Sequence, residues 1–220
     1  MRVVDLGTLS WQDAWKIQEQ AHTDVLRGGE ARLILVEHPP VITLGRQADL
    51  SLKNLRFSVD ELKQQGIDVV ETDRGGNVTF HGPGQLVAYP IIKLSDLRLT
   101  VGGYVKALQQ AVIDCIGRCM VRGEIDPSAV GVWVKDGEQL AKVCAIGVRV
   151  RRGVTLHGLA LNVTTDLRYF DLIVPCGLQN RPVTNLKRTA GIHTPQMSHM
   201  KWLLTNSLKQ QLEGGRVDVA

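Results

Sequence analysis

The chain has 220 residues, 44% of them hydrophobic, and a formal net charge of +4. That is enough apolar material for one sizeable core, no apolar run approaches the roughly 20 residues a membrane span requires, and four cysteines, unevenly placed, are too few for a disulfide framework. The mild positive charge falls short of the dense basic face that nucleic acid needs, although it suits an acidic protein partner.

No repeat, low-complexity tract or long linker divides the sequence, so residues 1–220 are expected to form a single domain. The opening Met1-Arg2-Val3-Val4-Asp5-Leu6-Gly7 lacks a basic stretch followed by a long apolar run, so a cytoplasmic location is expected.

Residues 10–26 read as a helix, with Ser10 as N-cap, apolar residues at Trp11, Ala14, Trp15, Ile17, Ala21 and Val25, and a stop at Gly28-Gly29. Residues 33–36 and 41–44 are short apolar runs separated by Pro39-Pro40 and read as strands, after which Gly45 begins a polar loop. Ser58-Val59-Asp60-Glu61 has the spacing of a capping box, in which serine and glutamate satisfy each other's backbone amides, and Gly66 closes that helix. A strand follows at residues 68–72. Val101, Tyr104, Val105, Leu108, Ala111, Val112, Cys115, Ile116 and Cys119 recur at helical spacing and mark a buried helix. Residues 130–134, 140–150 and 154–163 read as an antiparallel meander, and a last helix is expected from Thr194 to about Leu212. Helices interrupting mainly antiparallel strands predict an α+β fold rather than a doubly wound parallel one.

The densest chemical signal is residues 74–89, where Arg74, Gly75, Gly76, Asn77, Val78, Thr79, Phe80 and His81 are followed by Gly82-Pro83-Gly84-Gln85. Clustered glycines let a backbone approach a ligand closely and turn its amides toward it, while Arg74 and His81 can orient a polar group. A pair of tight turns is the plainer alternative. The spacing matches neither a dinucleotide fingerprint nor a phosphate loop, and no cofactor is expected.

Cys176 lies between Pro175 and Gly177, which restrict the turn and suit a thiol held on a loop beside a pocket. Cys115, Cys119 and Cys144 read as small buried apolar residues. A free thiol is only a few per cent thiolate near neutrality, so attack needs a basic neighbour. Lys142, opening the otherwise apolar run 142–150, is the candidate if it faces inward; a solvated lysine at a hairpin edge is the alternative, and spacing does not choose between them. His157 is the other possible base.

Taken together, Arg74-Gly75-Gly76-x-x-Thr79-Phe80-His81-x-x-Gly84-Gln85, Lys142-Val143-x-Ala145-Ile146-Gly147, His157-Gly158-Leu159-Ala160-Leu161-Asn162 and Pro175-Cys176-Gly177 resemble the octanoyltransferases of lipoate biosynthesis. The resemblance runs over residues 30–180; the stretch before Gly131 and the tail after Lys187 do not align. It implies a fold related to the biotin and lipoate protein ligases. It also implies transfer of an octanoyl or lipoyl group from acyl carrier protein to a lysine on lipoyl domains, those of 2-oxoacid dehydrogenase E2 subunits and the glycine cleavage H protein. By the same match Cys176 carries the acyl group as a thioester, Lys142 is its general acid and base, and residues Arg74 to His81, Ala145, Ile146, Gly147, Gly158, Leu159 and Ala160 line the acyl pocket. An ATP-dependent ligase and a non-catalytic acyl-binding module are the competing readings.

Overall fold

The computed structural model describes residues 1–46, 52–174 and 181–214. Its larger sheet is built from Arg2–Thr8 (β1), Arg32–Glu37 (β2), Gln85–Ile91 (β6), Gly123–Glu124 (β7), Val132–Asp136 (β8), Gln139–Arg151 (β9) and Val154–Asn162 (β10). Val41–Leu44 (β3), Asp68–Glu71 (β4) and Thr79–His81 (β5) form a smaller sheet. The seven strands are ordered β1-β2-β6-β10-β9-β8-β7 and the three β4-β3-β5. Among the strands described, β1 with β2 and β3 with β4 run parallel, and the other strand pairings are antiparallel. This is the expected α+β architecture.

Strands β6 and β10 are buried at every position, so neither shows the polar alternation of a half-exposed strand, and both are covered on two sides. Helices Val101–Gly117 (α3) and Met197–Glu213 (α4) cover one face. There Tyr104, Leu108, Val112, Met200 and Leu204 pack with Leu86, Ala88, Leu159, Leu161 and Val143. Cys115, Cys119 and Cys144 belong to this layer, as small core residues. The other face is partly covered by Trp11–Leu26 (α1), whose Ala21 and Val25 meet Val87, Tyr89, Leu156 and Ala160. Ser10 caps this helix through its side chain. The smaller sheet has its own core, in which Ile42, Leu44, Val78 and Phe80 pack on Phe170, Ile173 and Leu62 of Val59–Gln64 (α2). Both halves of the Ser58–Glu61 capping box form.

Three expectations shift. Helix α4 begins at Met197, not Thr194: Thr194 precedes a proline, which disfavours helical backbone, and it takes an extended ψ of 116° after the short turn Gly191–His193. Strand β8 begins at Val132, because Gly131 adopts φ +142° and gives its carbonyl to the Gln109 side chain. Strand β1, an exposed edge at the far side of the sheet from β7, has no counterpart among the expected strands, and neither do β5, β6 and β7.

One irregularity positions the site. Along β8, Val132 pairs with Cys144 and the next residue, Trp133, pairs with Lys142, so β9 carries an extra residue at Val143. Such a bulge reverses the alternation of side chains beyond it. Val143 and Cys144 both enter the helix-covered core, and Lys142 is returned to the face shared by Ala145 and Gly147.

Candidate active site

On the sheet face that α1 leaves open, the cross-strand pairs Ala145–Ala160 and Gly147–Gly158 make a trench of small residues on β9 and β10. Val87, paired with Ala160, borders it on β6. Segment 74–78 forms the roof. A Cβ on Gly147 would lie 2.8 Å from the Gly75 carbonyl oxygen and 3.3 Å from the Arg74 side chain, so only glycine lets the roof come this close. Gly75 N–H donates to the Val148 carbonyl oxygen at 3.0 Å. Gly76 takes φ +88°, a left-handed backbone that other side chains rarely adopt. Between roof and trench lies a cleft of about 560 Å³, its open mouth included.

The expected pocket residues can now be placed. Arg74, Gly75, Gly76, Asn77, Val78, Thr79, His81, Ala145, Ile146, Gly147, Gly158, Leu159 and Ala160 all line the cleft, with Lys142 and His157. Phe80 does not join them. Strand β5 alternates, so Thr79 and His81 face the cleft while Phe80 stacks on Tyr169 with ring centroids 4.6 Å apart. Trp11, Val87, Tyr89 and Val130 line the cleft as well, unforeseen in the sequence.

The roof is pinned by its arginine. Arg74 Nη2 donates to the Thr43 carbonyl oxygen at 2.7 Å and to Thr43 Oγ1 at 3.0 Å, tying the segment to β3. Beneath it a buried polar chain continues across the sheets. His81 Nδ1 is 2.7 Å from Gln85 Oε1, Gln85 Nε2 donates to Asn162 Oδ1 at 2.8 Å, and Asn162 Nδ2 donates to the Thr184 carbonyl oxygen at 3.0 Å. Because Gln85 Oε1 is an acceptor, His81 carries its proton on Nδ1. Burial pushes the His81 imidazole down to about 3, with the charges of His38 and Arg74 adding to the effect. His38 donates from Nδ1 to the Leu9 carbonyl oxygen at 2.8 Å and accepts from the Tyr89 hydroxyl at 2.9 Å; burial lowers it to about 4.

At the opposite side of the cleft His157 adopts φ +58°, and its Nε2 lies 2.7 Å from Asp73 Oδ1. Burial lowers the pKa of His157, and the Asp73 carboxylate opposes that shift.

Lys142 is 6% exposed, so it is not a solvated edge lysine. Its Nζ donates to the Val130 carbonyl oxygen at 3.0 Å and sits 4.8 Å from the centre of the Trp133 ring. Its backbone is held by segment 182–184, with Lys142 N–H donating to Pro182 and Thr184 N–H donating to Lys142, both at 2.9 Å. Cys176, with Pro175 and Gly177, lies outside the described residues. The other three thiols are unsuited to attack: burial pushes Cys144 up to about 12 and raises Cys115 and Cys119 as well. Among the described residues there is no cluster of three or more His, Cys, Asp or Glu placed to hold a metal, and no helix long and apolar enough to cross a membrane. The arrangement offers a slim apolar channel ending beside a primary amine.

Residues 10–209 match the family model of the lipoyl protein ligase A/B catalytic domain. An octanoyltransferase of Solibacter usitatus is 50% identical over 182 residues, covering 82% of this chain and 80% of that one. One from Chloroflexus aurantiacus is 50% identical over 184 residues with the same coverage. Among solved structures, a putative lipoate protein ligase from T. acidophilum with bound lipoic acid superposes with a TM-score of 0.71 at 16% identity, covering 96% of this chain and 86% of that one. The biotin protein ligase from Aquifex aeolicus in complex with biotin and ATP gives 0.60 at 11% identity, covering 99% and 72%. The structural matches carry the fold alone, whereas the family model and the sequence relatives place this chain in the lipoyl protein ligase A/B catalytic domain family, among its octanoyltransferases.

Proposed function

We propose that the chain, acting as one catalytic domain in the cytoplasm, transfers an octanoyl group from acyl carrier protein to a lysine of lipoyl domains through an acyl thioester on Cys176. The observation that carries this reading is the buried Lys142 amine beside a trench of paired alanines and glycines, whose small side chains leave room for an alkyl chain. The curated relatives are named octanoyltransferases, which supports the acyl group. One solved relative is described together with its E2 lipoyl domain, which supports the acceptor class.

Lys142 takes the proton of the Cys176 thiol. The thiolate attacks the carbonyl carbon of the incoming thioester, and the carrier leaves as a thiol with that proton. The neutral amine of the target lysine then attacks the acyl-Cys176 carbonyl. An amide forms, the C–S bond breaks, and the proton lost by the new amide nitrogen passes through Lys142 back to sulfur. Exchange between thioesters is nearly balanced and thioester to amide runs downhill, so the sequence proceeds without ATP. Placement of the flanking residues supports pairing Cys176 with Lys142. On one side Val174 N–H donates to Asn54, whose side chain reaches Asn77 of the roof; on the other, Pro182 accepts from Lys142 itself.

Intact-protein and peptide mass spectrometry after mixing with octanoyl-carrier protein tests this: an octanoyl adduct is expected on Cys176, and an equal adduct in Cys176→Ala would overturn it. The fold is shared with ATP-dependent ligases, and pyrophosphate exchange with free octanoate would mark this chain as one of them.

A further inference from the structure

Beyond Gly147 and Gly158 the trench does not run on. His157 and Trp11 line the cleft there, and they belong to a packed group of rings. The His157 imidazole stacks on Trp15 at 4.9 Å between centroids, Trp11 stacks on Trp15 at 5.6 Å, and Trp11 lies 6.4 Å from His157, all nearly parallel. Helix α1 and the Asp73 carboxylate brace the group. Trp11 and Trp15 are fixed by α1, which Ser10 caps through its side chain. His157 is fixed by its 2.7 Å contact with Asp73, the residue just before the roof arginine, and by its backbone N–H, which donates to Gln18 of α1 at 3.0 Å.

We propose that Trp11 and His157 form the end wall of the acyl channel and set the length of chain the enzyme accepts, an inference that rests on the acyl-transfer reading. Ala145 to Gly147 covers two strand residues, about 7 Å. An extended eight-carbon chain has seven bonds and spans about 8 Å, taking the backbone measure of 3.3–3.6 Å for three bonds. The two rows of small residues therefore accommodate an eight-carbon chain whose carbonyl end lies toward Lys142. Two further carbons must displace a stacked, hydrogen-bonded ring group, and forcing extra methylenes into a packed site is unfavourable. Trp11 is the specificity-determining position that can be changed without touching the Asp73–His157 contact or the trench floor.

The test is transfer to a lipoyl domain from carrier protein loaded with six-, eight-, ten- or twelve-carbon chains, by the wild type, Trp11→Ala and Ala145→Val. Each additional buried methylene is worth about a fourfold change in kcat/KM, so Trp11→Ala, which makes room for two more, should raise the ratio of ten- to eight-carbon transfer roughly fifteenfold. Ala145→Val narrows the near row, which a chain of any length must pass, and should lower transfer of all four lengths without changing the ratio of ten- to eight-carbon transfer; general loosening of the fold would not confine the shift to the Trp11 variant. Trp11→Leu keeps apolar packing on α1 and stands in should the alanine variant fail to fold. An unchanged chain-length profile in a folded Trp11 variant that still transfers eight carbons would overturn the end-wall assignment. Absence of transfer by the wild type at every chain length would instead overturn the underlying acyltransferase reading.

Discussion

Replacing Gly147 by alanine tests whether the roof of the channel is held where it is by the lack of a side chain beneath it. The added Cβ would lie 2.8 Å from the Gly75 carbonyl oxygen, well inside the 3.5 Å or more of an ordinary contact. The obstructing atom is backbone and cannot swing aside. If the roof stays, overpacking costs about 1–3 kcal/mol. If it lifts, the Gly75 to Val148 hydrogen bond is lost, about 1 kcal/mol, and the bonds from Arg74 to Thr43 are strained. An overall loss of about 2–3 kcal/mol lowers Tm by about 5–10 °C in a chain of this size. Because the lifted segment is one wall of the acyl site, KM for the octanoyl donor should rise more than kcat falls. Thermal unfolding by circular dichroism and steady-state transfer read both quantities. A Tm within a degree or two of wild type together with an unchanged KM would refute the close-approach argument.

Other perturbations probe other parts. His38 and His81 are held at about 4 and about 3 by burial, below the unfolded value near 6.5, so the unfolded chain binds protons first as pH falls. Their contribution is intact above pH 6.5 and is lost below it, about 3–4 kcal/mol for the pair between pH 6.5 and 5; equal urea midpoints at pH 7 and pH 5 would contradict this. Asn162→Leu removes the acceptor of Gln85 and the donor to Thr184, leaves buried polar groups unpaired at a cost of about 1–3 kcal/mol, and loosens the segment that pairs with Lys142, so a denaturant titration and kcat should fall together. Lys142→Met keeps much of the side chain's reach without the amine; transfer should drop about 100-fold or more, and retention of wild-type kcat would exclude Lys142 from proton transfer. Ser58→Ala removes the hydroxyl arm of the capping box and leaves the backbone amide of residue 58 bonded to Glu61; it should cost about 1 kcal/mol, with no change in KM, as measured by chemical unfolding beside kinetics.

The parts legible in the sequence were those written in local pattern. Ser10 and Ser58 announced their helices, the meander of β8 to β10 followed from its apolar runs and its turns, and the density of glycine around Arg74 marked the roof. What escaped depends on pairing between distant segments. That Gly147 faces Gly158, and Ala145 faces Ala160, is a matter of register, and neither residue alone signals a channel. Phe80 was grouped with its neighbours, although a period of two along residues 79–81 separates it from Thr79 and His81. Trp11 read as one more apolar residue on a helix face, and Asp73 as an unremarked neighbour of Arg74, because their meeting with His157 is tertiary. The start of α4 lies later than its apolar spacing suggests because Pro195 keeps the residue before it, Thr194, out of helical backbone.

The extra residue at Val143 makes the aim of the amine a question of parity. A strand cannot rotate one side chain gradually toward a cleft; it can only count, and an odd insertion sends everything upstream to the reverse side. Deleting that single residue would leave the number of strands intact while turning the amine toward the helices, so the two ends of β9 can evolve their surfaces independently only as long as the miscount between them is preserved.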